Sequence, residues 1–262
     1  MTRFSTQALL LRSFDFGESD RIVHLLTPET GRLTAIAKGA RRSVKRFAGN
    51  LDLFNHLRVQ VDSRRRGGMA RLEQASLLSC FLPLRVDTGR FALGCYLLEL
   101  LDRLAPEGGA RSDTQRLFDF ALAALTQVEV AKPNSRLRVL LELRALAALG
   151  LRPELRHCVR CGREPGGPAP VAFHIPEGGV LCDSCATGVQ DLLRIHLGTL
   201  RALEQGLHFD FARLDRLALG PASLAEAGRL LARFQRFHVG VDLRSEGFLN
   251  QVLASPTHTA SA

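Results

Sequence analysis

The chain has 262 residues, of which 46% are hydrophobic, and a formal net charge of +9 at pH 7. This length predicts about two domains with well-packed cores, and the composition is typical of a soluble globular protein. No apolar segment approaches the roughly 18 residues of a membrane span. Arg12 interrupts the first apolar run, which excludes an N-terminal secretory signal, so we expect a cytoplasmic protein.

The positive charge is concentrated at the N-terminal end. Residues 1–78 carry 14 Lys or Arg and 7 Asp or Glu, a net charge of +7, whereas the remaining 184 residues carry 21 and 19, a net charge of +2. A local excess of this kind attracts an anionic partner, whereas an even spread would indicate only a solvated surface. We therefore expect the binding function in the N-terminal segment.

Five short β-strands are predicted in the first 80 residues, at 3–13, about 21–27, 32–39, 53–62 and 69–78. The turn Thr27–Gly31 contains Pro and Gly at suitable positions to join the second and third strands as a hairpin. Arg64–Gly68 similarly joins the fourth and fifth. Five strands in this length predict a small OB-fold-like barrel over residues 1–80, although an SH3-like barrel would give nearly the same pattern.

The loop between the third and fourth strands is strongly basic. Five cations lie within nine residues, and such a loop repels itself unless an anion, such as a row of phosphates, neutralises it. A solvated loop or an acidic protein partner are the alternatives. Phe14, Phe16, Phe47 and Phe54 are candidates for base stacking, with Phe54 favoured as core. The residues expected to contact nucleic acid are Lys38, Arg41, Arg42, Lys45, Arg46, Arg64, Arg65 and Arg66.

From about residue 85 the pattern becomes helical. Apolar residues recur at spacings of three and four, and helices are predicted at 91–104, after a capping box at Ser112, from Ser135 to a left-handed cap at Gly150, near 187–206, and at 224–238 after a capping box at Ser223. The segment 81–253 is therefore predicted to be an α-helical bundle domain, interrupted at 156–187. The tail 254–262 is small and polar, and we expect it to be disordered.

The interruption contains the strongest motif of the sequence, two Cys-x-x-Cys pairs separated by 20 residues. Cys158, Cys161, Cys182 and Cys185 can surround one Zn²⁺ tetrahedrally, and four thiolates leave no open position for catalysis, so the site is expected to be structural. Redox chemistry and a catalytic metal are the alternatives. Val171 to Ile175 and Val180–Leu181 predict a hairpin between the pairs, with a turn at Gly178–Gly179.

Cysteines outside this quartet are Cys80 and Cys95, which are expected to be small buried side chains because their neighbours are apolar. The sequence lacks a phosphate loop, a zinc-protease motif, a nucleophile elbow and a paired acidic motif. Asp15, Glu18 and Asp20 cluster, but on a loop where acidic residues are ordinary. We therefore expect a protein that is not an enzyme.

Taken in order, five features resemble the RecO family of bacterial recombination mediators. They are a basic N-terminal barrel, a loop that reads Lys38–Arg42 and ends in Lys45–Phe47, a helical domain, a Cys-x-x-Cys hairpin containing Gly178–Cys182, and a late Leu243–Leu249 segment. The likeness covers nearly the whole chain, and the cysteine quartet is similar to that of the zinc-bearing branch.

This resemblance implies a function in recombinational DNA repair. Members of the family bind single- and double-stranded DNA, anneal complementary strands, and with the RecR partner help to load RecA on DNA coated by single-stranded DNA-binding protein, whose acidic tail binds the helical domain. It also implies a nucleoid-associated protein. An RNA-binding zinc-ribbon and OB protein of translation or ribosome assembly is the alternative, and an enzyme that uses the cysteines is a third hypothesis.

Overall fold

The computed structural model describes residues 3–63, 69–240 and 242–254. The chain forms two compact units, the first made of Met1–Lys132 with Ser245–Ala262 and the second of Pro133–Arg244. The first unit thus combines the two ends of the chain. The division reflects which residues contact one another within each unit. The domain boundaries expected from the sequence remain a prediction.

The first unit contains a closed five-stranded barrel with the strand order β1-β2-β3-β5-β4. Its strands are β1 (Arg3–Phe16), β2 (Asp20–Thr27), β3 (Gly31–Ala37), β4 (Asn55–Asp62) and β5 (Ala70–Cys80). All pairs are antiparallel except β3 and β5, which pair in parallel only at Ala35–Ala70 and Ile36–Arg71. The expected OB-like barrel is therefore confirmed.

Every second side chain along a strand such as β4 is hydrophobic and points into the barrel interior. On β4, Leu57, Val59 and Val61 are buried, whereas Arg58 and Gln60 between them are exposed. This period of two places every second side chain inside. Phe47, from the segment between β3 and β4, is 1% exposed and belongs to the same apolar cluster.

Four helices complete the first unit: α1 (Leu82–Val86), α2 (Thr88–Leu104), α3 (Arg111–Val130) and α8 (Arg244–Ala254), whose first residue, Arg244, belongs to the second unit. Phe54 is fully buried and meets Phe91 of α2 edge to face, with the ring centroids 5.7 Å apart. Gly94 makes this approach possible, because a Cβ there would lie 2.8 Å from the Phe54 ring. The expectation that Phe54 is a core residue is confirmed.

A half-buried ionic cluster also joins the barrel to α2. Asp102 lies 2.6 Å from His24 Nδ1 and accepts a hydrogen bond from Arg32 Nε at 3.0 Å. Burial raises the pKa of Asp102, but the hydrogen bonds from His24 and Arg32 outweigh burial and lower this pKa below its ordinary value. The folded structure therefore stabilises the ionised carboxylate.

The β2–β3 turn is held against the α2–α3 connection. Gly31 has a φ of +68°, and a Cβ there would lie 2.5 Å from the Pro106 carbonyl oxygen. Arg32 N–H donates to the same carbonyl at 2.9 Å, and Thr30 Oγ1 lies 2.7 Å from Thr27 Oγ1. The turn expected at Thr27–Gly31 is thus confirmed, and a glycine is required there.

The second unit combines a three-stranded sheet with helices. It contains α4 (Ser135–Ala148), β6 (Val171–His174), β7 (Gly179–Leu181), α5 (Asp183–Ala186), β8 (Leu193–Ile195), α6 (Leu197–His208), a 3₁₀ helix (Phe211–Arg216) and α7 (Pro221–Val239). The expected hairpin is β6–β7, and β8 pairs with the other edge of β6. Gly206 lets α6 approach α4, since a Cβ there would lie 2.6 Å from Leu140 Cδ2.

Several expected helix boundaries are wrong. The helix expected near 187–206 begins only at Leu197, because residues 193–195 pair with β6 instead. Ser112 and Ser223 do not cap their helices: α3 begins at Arg111, and α7 begins at Pro221, whose fixed φ suits the first helical position. By contrast, Asn134 caps the helix that starts at Ser135, and Gly150 has the expected left-handed conformation.

Cys80 is exposed, contrary to expectation, because residues 76–80 of β5 bury neither face. Cys95 is half-buried, and burial raises the pKa of its thiol to about 11. In the described part of the chain, no helix combines the length and the apolar character that crossing a membrane requires. The predicted tail at 254–262 lies, apart from Ala254, outside the described residues.

Removal of the Asp102 charge should destabilise the first unit. We expect Asp102→Asn to lower the free energy of unfolding at neutral pH by roughly 2 kcal/mol, because hydrogen bonds to a charged acceptor are lost. A lowered carboxylate pKa contributes its full stability above the pKa of the unfolded chain, about 3.9, and this contribution is lost as the pH falls from there through the lower pKa of the folded state. Urea unfolding at several pH values measures the difference.

The matched control is Asp119→Asn on the exposed surface of α3. It should leave stability nearly unchanged at every pH. A loss in Asp102→Asn that persists undiminished in acid would contradict the ionic role of Asp102.

Candidate metal centre and nucleic-acid interface

The four cysteines of the two Cys-x-x-Cys pairs come together in the second unit. The sulfur atoms of Cys158, Cys161, Cys182 and Cys185 all lie within 4.8 Å of one another. The Sγ atoms of Cys161 and Cys182 are 3.6 Å apart. A tetrahedral Zn²⁺ with bonds of roughly 2.3 Å requires sulfur separations of about 3.8 Å. The donor set therefore fits a metal ion of this kind.

Backbone hydrogen bonds hold the two cysteine pairs in register. Cys158 N–H donates to the Arg163 carbonyl, and Gly162 N–H donates back to the Cys158 carbonyl, each at 2.8 Å. Gly162 has a φ of +75°, which permits this tight turn. Val159 N–H donates to the Val180 carbonyl at 3.0 Å, so the first pair is bonded to the strand that leads directly into the second.

Hydrogen bonds shift the pKa values of the Cys182 and Cys185 thiols in opposite directions. The Cys185 amide and the Ser184 hydroxyl donate to Cys182 and lower the pKa of its thiol to about 6. Cys185 donates its proton to the sulfurs of Cys182 and Cys161, which raises its pKa to about 12. A divalent cation favours the thiolate form of every ligand and so takes the place of the shared protons.

Arginines around the cysteines are engaged within the element itself. Arg160 forms a bidentate ion pair with Glu177 and donates to the Cys185 carbonyl at 3.0 Å. Arg163 donates to Cys161 Sγ at 3.5 Å and to Ser184 at 2.9 Å. The guanidinium groups of Arg160 and Arg163 therefore bind residues of the cysteine element itself.

The cysteine element is fixed to helix α7 by its hairpin. Phe173 of β6 packs against Phe234, with ring centroids 6.5 Å apart. His238 Nε2 lies 2.8 Å from the Ile175 carbonyl oxygen. Gly179 has no space for a side chain, because a Cβ would lie 2.4 Å from Val159 Cγ1. The hairpin thus connects the cysteine cluster rigidly to the helices of its unit.

The basic loop expected to bind nucleic acid lies between β3 and β4 in the first unit. Lys38, Arg41, Arg42 and Lys45 are exposed, and Arg46 is half-buried. Arg46 donates to the Lys38 carbonyl at 2.7 Å, and its guanidinium lies 5.2 Å from the centre of the Phe47 ring. The loop therefore closes on itself, and Lys38, Arg42 and Lys45 project into solvent.

Acidic residues of the β1–β2 hairpin anchor this loop. Asp20 accepts a hydrogen bond from Gly39 N–H at 2.8 Å, which lowers the pKa of its carboxyl. Asp15 pairs with Arg41 at 3.4 Å and with Arg21 at 3.1 Å. At the far end of the loop, Ala75 N–H of β5 donates to the Arg46 carbonyl at 3.0 Å.

Each side of the loop is thus bonded to the barrel. Sequence reasoning treated Asp15 and Asp20 as ordinary turn residues and missed this role. Asp15 and Asp20 flank the β1–β2 turn, but the sequence does not show that this turn lies beside the basic loop. Their position alone was therefore only a weak indication that they anchor the loop.

The other expected contacts have different outcomes. Arg64, Arg65 and Arg66 lie outside the described residues. Phe47 is buried in the barrel core, so it offers no face to a base. Phe14 and Phe16, by contrast, are 38% and 51% exposed on β1.

Comparison with known proteins identifies relatives over almost the entire chain. Residues 1–81 match the family model "Recombination protein O N terminal", and residues 85–247 match "Recombination protein O C terminal". The chain is 37% identical over 252 residues to "DNA repair protein RecO" of Anaeromyxobacter dehalogenans (strain 2CP-C), covering 96% of this chain and 98% of the relative.

Two further relatives carry the same name. The protein of Myxococcus xanthus is 37% identical over 255 residues, covering 96% of this chain and 99% of the relative. The protein of Syntrophotalea carbinolica is 33% identical over 261 residues, covering 100% of this chain and 99% of the relative.

The fit of the cysteine cluster to a metal predicts a coupling between zinc and stability. We expect Cys158→Ala to lose bound zinc and to destabilise the second unit by on the order of 4 kcal/mol, because metal binding and folding of such an element are one equilibrium. Zinc content of the purified protein and thermal unfolding measure the two effects. Cys80→Ala, which removes an exposed thiol outside the cluster, should change neither; zinc and stability retained in Cys158→Ala would refute the coupling.

Proposed function

The chain belongs to the RecO family of DNA repair and recombination proteins, and on this basis we propose that it is a non-enzymatic recombination mediator. In this proposal it binds single- and double-stranded DNA and anneals complementary strands. Together with RecR it promotes loading of RecA on DNA coated by single-stranded DNA-binding protein. Membership of this family supports the mediator role. It argues against the alternative of an RNA-binding protein of translation or ribosome assembly.

The observation that carries the DNA-binding part is the anchored basic loop. Lys38, Arg42 and Lys45 are exposed and form no ion pair with any described residue. Arg41 is also exposed, although it pairs with Asp15. Exposed cations that form no ion pair can neutralise phosphates and release the counterions condensed on DNA, which favours binding.

Strand annealing follows physically from such a surface. Two complementary strands repel each other as polyanions, and a shared cationic surface lowers this repulsion without reading their sequence. Base pairing then supplies the specificity. No covalent bond changes in this process, so the proposal requires no catalytic residue.

For the cysteine quartet we propose a structural Zn²⁺. Cys158, Cys161, Cys182 and Cys185 provide four sulfur ligands, which leave no open coordination position. The hairpin contacts with α7 support a role in fixing the element to its unit. We also propose that the acidic tail of single-stranded DNA-binding protein contacts the helical domain, and that the protein acts in the cytoplasm at the nucleoid.

Annealing is the direct test of the proposed function. We expect the protein to accelerate annealing of complementary strands that are coated with single-stranded DNA-binding protein, because the mediator brings the two complexes together. Fluorescence energy transfer between labelled strands measures the rate, with complementary RNA strands assayed in parallel. No acceleration with DNA would refute the mediator role, and acceleration confined to RNA would revive the alternative.

Neutralising the loop should weaken DNA binding independently of sequence. We expect Arg42→Ala with Lys45→Ala to lower affinity for every sequence alike and to reduce the slope of log K against log salt by about 1.4 for single strands, because two phosphate contacts are lost. The control is Arg229→Ala with Arg233→Ala, which removes two exposed cations from α7. A salt slope that is unchanged in the loop variant, or equally reduced in both, would place the DNA site elsewhere.

A further inference from the structure

Phe14 and Phe16 form an exposed aromatic pair on the outer face of β1. They lie on the same face because they are two residues apart in a strand. Asp15, between them, points to the opposite face, where its partner Arg21 donates to the Leu51 carbonyl at 3.1 Å, and Leu51 belongs to the barrel core. The pair is therefore directed away from the interior.

The Phe14 ring is held in a defined orientation. The rings of Phe14 and His24 pack in a T-shaped arrangement, with centroids 5.8 Å apart and an interplanar angle of 86°. The guanidinium of Arg12 lies 5.4 Å from the Phe14 ring centre. Since the ring is positioned from two sides while remaining 38% exposed, it loses little conformational freedom when a flat ligand stacks on it.

Charged residues lie at both ends of the aromatic pair. Arg12 is at one end. At the other end Phe16 is paired across the strands with Asp20, which in turn lies beside Lys38 and binds the Gly39 amide. Over residues 12–46 there are 8 Lys or Arg and 4 Asp or Glu, so the surroundings favour an anionic ligand.

We infer that Phe14 and Phe16 stack on the unpaired bases of single-stranded DNA whose phosphates are held by the basic loop. This inference rests on the proposed function and adds to it the preference for single strands. Aromatic side chains beside a cationic groove are the usual means of binding single strands without regard to sequence.

The spacing of the rings explains the preference for single strands. Alternate residues of a strand are about 6.8 Å apart, twice the rise of 3.4 Å per residue. Successive bases along one strand of a duplex are separated by an axial rise of about 3.4 Å and are already stacked on each other. Two bases can meet Phe14 and Phe16 only when the strand is unpaired and extended. A duplex can reach the loop with its phosphates but not the rings with its bases.

The test replaces both rings without removing apolar character. Phe14→Leu with Phe16→Leu is made in the full chain, and affinities are measured for an oligothymidine, an abasic strand of the same length and a duplex of the same length. We expect roughly tenfold weaker binding of the oligothymidine, because stacking is lost. Affinities for the abasic strand and the duplex should stay unchanged, as should the salt slope, because no phosphate contact is removed.

Phe248→Leu is the matched control, since this phenylalanine is 43% exposed on α8. It should bind all three ligands as the wild type does. An unchanged oligothymidine affinity in the double variant would overturn the inference, because it would show that the two rings do not contact the bases. Equal weakening for all three ligands would also overturn it, because it would indicate a general disturbance of the loop.

The Arg42→Ala, Lys45→Ala variant keeps the two hypotheses separate. If this variant loses DNA affinity while the phenylalanine variant does not, only the stacking inference fails. If the wild-type protein binds none of the DNA ligands, the proposed function itself fails.

Discussion

The basic loop depends on one constraint, namely that its cations must be held close together against their mutual repulsion. Burial of Phe47 in the barrel core fixes one end, and the Gly39 amide bonded to Asp20 fixes the other. Hydrophobic burial of a phenylalanine side chain contributes on the order of 2 kcal/mol, more than the repulsion of one solvated cation pair. The barrel core, which buries Phe47, and the β1–β2 hairpin, which carries Asp20, therefore hold the loop cations together. A free peptide with the sequence of the loop would lack both contacts.

In the second unit the constraint is the small size of the apolar cluster around the cysteines, which a bound metal ion would offset. The apolar cluster around its cysteines is small, with Cys158, Ala172, Leu181 and Ala186 as its buried members. A cluster of this size gains little from burial alone, which is why small elements commonly depend on metals or disulfides. Hydrogen bonds from backbone amides and the ion pair of Arg160 with Glu177 position the sulfurs, so that a cation would bind donors that are already placed. This arrangement therefore favours a role of the cysteine cluster in the stability of the second unit.

The features that the sequence predicted well are those set by local rules. The strand alternation at Leu57, Val59 and Val61, the turn ending at Gly31 and the spacing of the two cysteine pairs depend on neighbouring residues only. The features it missed depend on contacts between distant residues. Residues 193–195 form a strand because β6 offers a free edge. Glu226 accepts a hydrogen bond from Thr199 of α6 and pairs with His196, which precedes that helix, instead of forming a capping box. Asp15 and Asp20 could be recognised as loop anchors only once the barrel had placed them beside Gly39 and Arg41.

The return of the chain to its first unit has a consequence for synthesis. Helix α8 is bound there by Glu99, which accepts hydrogen bonds from the Ser245 amide and hydroxyl at 2.8 and 2.6 Å, and Leu249 is fully buried. Since a ribosome produces the chain from its N-terminus, the barrel and its first three helices emerge early but lack their last partner until residues 133–244 have been made. The second unit, which contains the cysteine cluster, is therefore synthesised completely before the first unit, whose contacts with α8 can form only after residues 245–254 have been made.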